Sequence, residues 1–290
     1  MITPDIATAR TLIAAQFPHL AHLPLTPVAS AGTDNALYRL GSDLLLRLPK
    51  AEWSPPLIAR EAKILGTLAN RLPLAIPQLV ALGEPTEPFP HPWSILAWIE
   101  GESAHPATLD TVETATTLAR FIRTLQSIEP APGFAAGPAN NFRGAPLSVR
   151  DKLAREAIAA LANEIDASAA TRLWDEALRQ QTHQGAPVWV HGDIHPGNVL
   201  TRNGKLAAVI DWGCAATGDP AVDLMPAWSM FSGAARAVFR QEIAADTKTW
   251  TRARGWTLSV SAIALSHYRD KNETITAATR RDIAELLAGT

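Results

Sequence analysis

Between Val188 and Asp223 the chain reads VWVHGDIHPGNVLTRNGKLAAVIDWGCAATGDPAVD, and His191, Asp193, Asn198 and Asp211 stand in it at spacings that can do chemistry. Val188–Val190 is a short apolar run, a strand that delivers His191-Gly192-Asp193 into a loop. Arg202-Asn203-Gly204-Lys205 joins the runs 198–201 and 206–210, and its Asn-Gly pair is a strong hairpin signal. A turn centred there sets Thr201 opposite Leu206 and Asn198 opposite Val209. Asp211 then lies roughly 6–7 Å further along the strand. Asn198 and Asp211 therefore emerge at the open end of one hairpin, next to Asp193.

An amide oxygen and a carboxylate so placed suit a hard cation such as Mg²⁺. Asp193, not needed as a ligand, can accept a proton from a hydroxyl nucleophile. A metal to neutralise phosphate charge and a base to orient an attacking oxygen are the parts phosphoryl transfer needs. The rival is a hydrolytic Zn²⁺ held by His191, Asp193 and His195, but it leaves Asn198 and Asp211 unexplained. For His195 alone, a loop-stabilising or substrate-orienting role is as open as a chemical one.

The elements around this hairpin divide in two. A helix over 4–16 precedes strand runs at 25–29, 36–40 and 44–48, with Pro27 restricting the first to a sheet edge. A helix over 57–72 and a strand over 93–99 follow. From about residue 108 the pattern is mostly helical: 108–127, 148–165, 168–181, 220–231, 233–247, 257–268 and 276–288. Residues 130–146 form a Pro/Gly-rich loop, a candidate lid carrying Asn140, Asn141 and Arg143. These could read acceptor hydroxyls or cap helices. The fold expected is α+β, with a small antiparallel-sheet lobe over 1–100 and a larger helical lobe over 101–290.

In the helix over 57–72, Glu61 sits in the middle of the stripe Leu57, Ile58, Ile64, Leu65 and Leu68. A carboxylate on a buried face needs a partner. Arg39 and Arg47 are the strand cations available, and Arg47 lies in the more apolar run. The expectation is an Arg47–Glu61 ion pair.

His-x-Asp-x-x-x-x-Asn followed by a strand-borne Asp-aromatic-Gly matches the protein-kinase catalytic pattern. In the form HGDIHPGN, IDWG and GDPAVDL the chain resembles the aminoglycoside phosphotransferase family of kinase-like enzymes, over roughly residues 25–285. The resemblance implies a two-lobed protein-kinase-like fold, with Asp193 as base and Asn198 and Asp211 as Mg²⁺ ligands. It implies ATP, with GTP as the alternative, bound between the lobes. Arg47 takes the place of the kinase lysine that pairs with a helix glutamate and holds phosphates, a departure, since arginine binds phosphate with different geometry. The small residues Ser30, Gly32 and Thr33 could lay backbone amides over the phosphates, though no GxGxxG is present. Ala97 and Ile99 resemble the interlobe hinge that binds a purine. The short stretch from Asp211 to Asp219 leaves no room for a protein-kinase activation segment, so a protein substrate is not expected. Asp219 and Asp223 read as structural residues first.

Composition agrees with a globular enzyme. Of 290 residues, 47% are hydrophobic and 19% charged, and 26 basic against 28 acidic residues give a net charge of −2. That balance lacks the basic footprint of a nucleic-acid binder. No signal pattern or membrane-length apolar run is evident, and the lone Cys214 excludes an intrachain disulfide, so a cytoplasmic protein is expected. The expected acceptor is a small hydroxylated molecule, first an aminoglycoside, with a macrolide or metabolite as alternatives. A protein that binds nucleotide with little turnover is the rival of another class. An aminoglycoside is a polycation, yet from Gly101 onward 20 acidic residues face 19 basic ones, so no acidic excess marks its pocket.

Overall fold

The computed structural model describes residues 4–29, 34–50, 55–87 and 89–289. Asp5 caps α1 (Ile6–Gln16) by accepting the Thr8 amide at 2.7 Å. The chain then lays down β1 (Leu25–Pro27), β2 (Asn35–Leu40) and β3 (Leu44–Pro49), crosses to α2 (Pro55–Leu68), and adds β4 (Leu79–Gly83) and β5 (Trp93–Ala97). The sheet order is β1-β2-β3-β5-β4, with antiparallel pairs throughout, and Pro27 does lie on an edge strand.

Alternation along β3 decides what each sheet face carries. Leu46 and Leu48 join Tyr38, Leu40, Trp93, Ile95 and the α1 residues Leu12 and Ile13 in one apolar cluster. Arg47, between them, serves the opposite face, where α2 buries Ile58, Glu61, Ile64, Leu65 and Leu68. Helix α2 ends at Leu68 rather than Leu72, because Asn70 turns left-handed at φ 60° and Pro73 follows. Strand β4 escapes the sequence pattern. It is an edge strand with Leu79, Val80 and Leu82 exposed, and its register slips between Leu79 and Ala81, so no alternation marks it.

The second lobe runs through β6 (Glu102–Ser103), α3 (Pro106–Leu109), α4 (Val112–Ser127), α5 (Asp151–Ala160), α6 (Ala167–Arg179) and β7 (Val188–Val190). The hairpin β8 (Val199–Arg202) and β9 (Lys205–Val209) follows, then β10 (Ala216–Gly218), α7 (Pro226–Ser229), α8 (Gly233–Ile243), α9 (Thr247–Tyr268) and α10 (Glu273–Ala288). Leu118, Phe121, Ile122 and Leu125 of α4 pack into a core with Trp174, Trp189, Trp212 and Trp256. Full burial of each large side chain contributes about 1.5–3 kcal/mol. Ile64, Leu65, Leu68 and Leu96 of the first lobe enter the same cluster, which ties the lobes together behind the cleft.

In the second lobe the expected helix 108–127 divides into α3 and α4, 148–165 shortens to α5, and two further stretches differ for identifiable reasons. The stretch 220–231 breaks into a 3₁₀ turn, Pro220–Leu224, and the short α7, because Pro226 interrupts it. Helix α9 begins ten residues early, at Thr247, where Asp246 accepts the Thr249 amide at 2.6 Å. Its Gly255 is a contact residue: a Cβ there would stand 2.6 Å from Ala177 Cβ of α6.

Candidate active site

The hairpin turn forms at Asn203 and Gly204, both at positive φ (53° and 75°), and Thr201 faces Leu206 as the spacing predicts. A bulge then intervenes, so Leu200 faces Ala208 and Val199, not Asn198, faces Val209. The Ile210 amide donates to the Asn198 carbonyl at 2.9 Å. Asn198 is therefore one residue nearer Asp211 than the unbulged register gives.

Strand β7 leads into the loop that holds Asp193. Gly192 takes φ +82°, and the buried carboxylate of Asp223 accepts the amides of His191 and Gly192, each at 2.7 Å. In the sequence Asp223 reads as structural first and as a substrate contact second, and its partners are not specified. The available signal was its position in Ala221-Val222-Asp223-Leu224, where an acid in an apolar run must find donors. Burial pushes the Asp223 carboxyl up to about 7, against the two amides that oppose the shift. The His191 ring is buried, 4.7 Å from the Trp212 ring centroid. Its Nε2 meets the Ile210 carbonyl at 3.0 Å and its Nδ1 accepts the Asp193 amide at 3.2 Å. Burial lowers its pKa to about 4, so it is neutral, with the proton on Nε2. Both ring nitrogens are spent, which removes His191 from the zinc reading. Among the described residues no group of three His, Cys, Asp or Glu side chains is placed to hold a metal.

Asp193 sits at the loop tip. Asn198 Nδ2 donates to its carbonyl at 2.9 Å and approaches Oδ2 at 3.4 Å. Burial raises the Asp193 carboxyl, but the Arg143 charge, His195, His191 and the Asn198 amide outweigh it and hold the group below the usual carboxylate range. His195 Nε2 lies 3.8 Å from Oδ2, and its Nδ1 accepts the Gly197 amide at 3.1 Å. It both caps the loop and borders the carboxylate.

Across the cleft, Arg47 NH1 pairs with Glu61 Oε2 at 2.6 Å, with side chains only 8% and 4% exposed. Glu61 Oε1 accepts the Trp212 amide at 2.9 Å, so one carboxylate joins β3, α2 and the segment after Asp211. Arg47 NH2 lies 3.6 Å from Asp211 Oδ1. Burial lowers the Arg47 pKa, but the charges of Glu61 and Asp211 more than offset it. Asp211 itself is left-handed, at φ 63° and ψ 73°, a conformation an aspartate tolerates at a cost. Asp211 turns one hard oxygen donor set to the cleft. Asn198, whose Nδ2 is committed to Asp193, offers its Oδ1. That donor set fits Mg²⁺, which takes one or two protein oxygens and completes its shell with phosphate and water.

The loop expected as a lid is pinned. The Thr217 amide donates to the Phe134 carbonyl at 2.7 Å, Ala136 N to Thr217 O at 3.0 Å, and Asp219 N to Gly144 O at 2.7 Å. Within it Asn140 is buried, donating to the carbonyls of Arg143 and Cys214 at 2.8 and 3.0 Å. Asn141 and Phe142 are both left-handed, at φ 54° and 58°. Arg143, expected to read acceptor hydroxyls or cap a helix, borders the carboxylate itself: NH2 lies 3.3 Å from Asp193 Oδ1, and NH1 donates to the Gly192 carbonyl at 3.1 Å. The Asn141 carbonyl accepts from Arg150 at 3.0 Å.

At the hinge, the Ala97 amide donates to Gln78 O at 2.8 Å and the Trp98 amide to Asp43 O at 2.7 Å, so neither is left for a base. Ser30, Gly32 and Thr33 lie outside the described residues. Cys214 has its thiol pushed up to about 12, chiefly by burial, and stays protonated. Asp219 caps the following turn and forms a buried pair with Arg252 at 2.6 Å.

A two-lobed α+β chain with an acid–asparagine–acid hairpin opposite a buried arginine–glutamate pair defines the kinase-like class. The model of the phosphotransferase enzyme family matches residues 25–256, and the chain belongs to that family, as a kinase of small-molecule hydroxyl groups. No curated protein matches it in sequence. Among solved structures, the GDP and kanamycin complex of APH(2")-IIia is similar at TM-score 0.73 and 19% identity, over 97% of this chain and 99% of that one. ADP-bound aminoglycoside phosphotransferase APH(2'')-Ib is similar at TM-score 0.63 and 19% identity, over 98% and 97%. Macrolide 2'-phosphotransferase MphH from Brachybacterium faecium is similar at TM-score 0.61 and 22% identity, over 97% and 98%. At these identities the likeness extends to the fold. No helix among the described residues is long and apolar enough to cross a membrane.

Proposed function

We propose that the chain transfers the γ-phosphoryl group of ATP to a hydroxyl of a small molecule, with Asp193 as the catalytic carboxylate. The observation that carries this reading is the convergence at one cleft of Asp193, Asn198 and Asp211 with the Arg47–Glu61 pair, which Glu61 locks to the Trp212 amide. Nucleotide binds between the lobe of residues 1–100 and that of 101–290. The Ala97 carbonyl and Ile99 amide face the base, while Arg47, held by Glu61, and the loop of Ser30, Gly32 and Thr33 serve the phosphates. Asn198 and Asp211 hold Mg²⁺, which neutralises phosphate charge. Asp193, ionised at neutral pH, orients the acceptor hydroxyl and takes its proton as the new O–P bond forms. The bond from phosphorus to the β–γ bridging oxygen breaks, and ADP leaves with that electron pair.

Aminoglycosides are the acceptors first expected, macrolides and hydroxylated metabolites the alternatives. The test is ADP release with Mg·ATP across these classes, beside Asp193→Ala. Acceptor-dependent release that the substitution abolishes is the expected result. A chain that binds no Mg·ATP overturns the reading.

A further inference from the structure

Arg150 is a buried cation that makes no ion pair with a carboxylate among the described residues, and the chemistry proposed above gives it no part. It closes the 3₁₀ turn Leu147–Arg150 that leads into α5. Its Nε donates to Ser259 Oγ of α9 at 2.8 Å and its NH1 to the Asn141 carbonyl at 3.0 Å, and its guanidinium lies 5.6 Å from the Trp256 ring centroid. Ser259 and Trp256 are fully buried, so the arginine is braced against the interior of the helical lobe. Electrostatics alone disfavours a cation at this position. Burial lowers the Arg150 pKa to about 10, and the Arg143 charge adds to the effect while Asp193 opposes it. The carboxylates nearby are served without it. Arg143 borders Asp193, and Asp223 accepts the amides of His191 and Gly192 and also lies within the field of Arg143. An apolar side chain of similar volume would avoid the cost of burying a charge. What arginine supplies instead is a rigid fork of directed donors.

One of those donors ends on a strained turn. Asn141 and Phe142 are consecutive non-glycine residues at φ 54° and 58°, a conformation that persists only where its surroundings over-determine it. Several bonds on the turn stay within the loop: the Asn141 and Phe142 amides donate to the carbonyls of Pro138 and Gly137 at 3.2 and 2.8 Å, and the Ala145 amide to Phe142 O at 2.9 Å. The Arg150 bond carries the Asn141 peptide outward to α9 through Ser259. Two residues further on, the Arg143 guanidinium lies 3.3 Å from Asp193 Oδ1 and donates to the Gly192 carbonyl at 3.1 Å. From the packed interior to the reacting carboxylate, the order of contacts is Ser259, Arg150, Asn141, Arg143, Asp193.

We propose that Arg150 is a positioning residue for the transfer step: braced on Ser259, it holds the Asn141–Phe142 turn in the shape that sets Arg143 against Asp193. This rests on the phosphotransferase reading above. In the full chain, Arg150→Met keeps a packed stem and removes both donors, while Arg150→Lys keeps the charge and one donor group. ADP release from Mg·ATP is followed with kanamycin, with erythromycin, and with water as the acceptor in their absence. Arg150→Met should lower kcat by about tenfold or more, as small misplacement of a reacting group does. The KM for ATP and the melting temperature should change little, and Arg150→Lys should recover part of the loss. Hydrogen exchange should quicken in peptides covering 137–145 and 191–193 and stay as in the wild type elsewhere. In an Arg143→Gln background Arg150→Met should cost little more, because the two residues act on Asp193 through one network. Exchange at 191–193 reads the same double-mutant cycle without any acceptor. Full additivity in the cycle, an intact kcat, or unchanged exchange at 191–193 overturns the positioning role. Where Arg150→Met folds poorly, Ser259→Ala leaves the arginine in place and should give the same pattern at smaller amplitude; a wild-type pattern there also overturns it. Calorimetry with Mg·ATP on the wild type reports on the phosphotransferase reading separately. A chain that binds Mg·ATP but shows no coupling between positions 150 and 143 loses the positioning role alone.

Discussion

Glu61 holds Arg47 at 2.6 Å with one carboxylate oxygen and the Trp212 amide at 2.9 Å with the other, so the phosphate-side cation and the segment after Asp211 share a single anchor. Removing one partner of a buried pair leaves an uncompensated charge, at a cost of about 3–5 kcal/mol. Glu61→Ala should therefore lower the unfolding free energy by that order and weaken Mg·ATP binding. Denaturant titration and calorimetry on the same protein check both. Glu61→Gln keeps an acceptor for Trp212 and should lose nucleotide affinity more than stability. Equal loss of both in the Gln variant would count against the shared-anchor account.

Asp193→Asn preserves shape and removes the base. Its kcat should fall by about 10²–10⁴, with Mg·ATP affinity unchanged. Because Arg143 and its neighbours hold the Asp193 carboxyl below the usual range, kcat/KM should stay flat as pH falls from neutrality towards the ordinary carboxylate pKa. Arg143→Gln removes the largest charge favouring ionisation, so the Asp193 pKa should rise and an acid limb move up in pH. A wild-type profile that already declines with an apparent pKa above the ordinary aspartate value would contradict this.

Burial raises the Asp223 carboxyl from 3.8 to about 7 in the folded chain. Between those values the folded state binds more protons than the unfolded state. Stability from this group is therefore full below the unfolded pKa and is lost as pH rises through about 7. The slope is at most about 1.4 kcal/mol per pH unit for one proton. Asp223→Asn should flatten that slope in urea titrations between mildly acidic and mildly alkaline pH. It should also lower kcat, since an amide NH₂ cannot accept both the His191 and Gly192 amides. An unchanged slope would assign the pH dependence to other groups.

What the sequence made legible follows the range of the forces involved. The Arg47–Glu61 pair was readable because a carboxylate in an apolar helical stripe and an arginine in an apolar strand each require a partner. The hairpin was readable from Asn203-Gly204, but its bulge beside Leu200 was not, since the Ala75 contacts that accommodate the extra residue come from far along the chain. Arg143 was singled out, yet its partner was not, because two left-handed non-glycine residues turn it toward Asp193 and neither Asn141 nor Phe142 announces that conformation. Strand β4 had no periodic signal because its apolar side chains face outward.

Gly192 offers the sharpest structural test of the Asp193 loop. At φ +82° an L side chain is strained, and a Cβ would stand 2.8 Å from both Arg143 Cβ and the Cys214 carbonyl. Gly192→Ala should cost roughly 1–3 kcal/mol from backbone conformation alone, and more from the contacts. The displaced groups are Arg143 and Cys214 on one side and Asp193 on the other, while Arg47, Glu61 and the hinge lie outside the clash. The variant should therefore lose kcat by about tenfold or more, as sub-ångström misplacement of a reacting group does, with the KM for ATP nearly unchanged. Thermal melting sets the stability cost and steady-state kinetics the kcat loss. A variant with a raised ATP KM and intact kcat would place Gly192 on the nucleotide side of the cleft, contrary to the geometry.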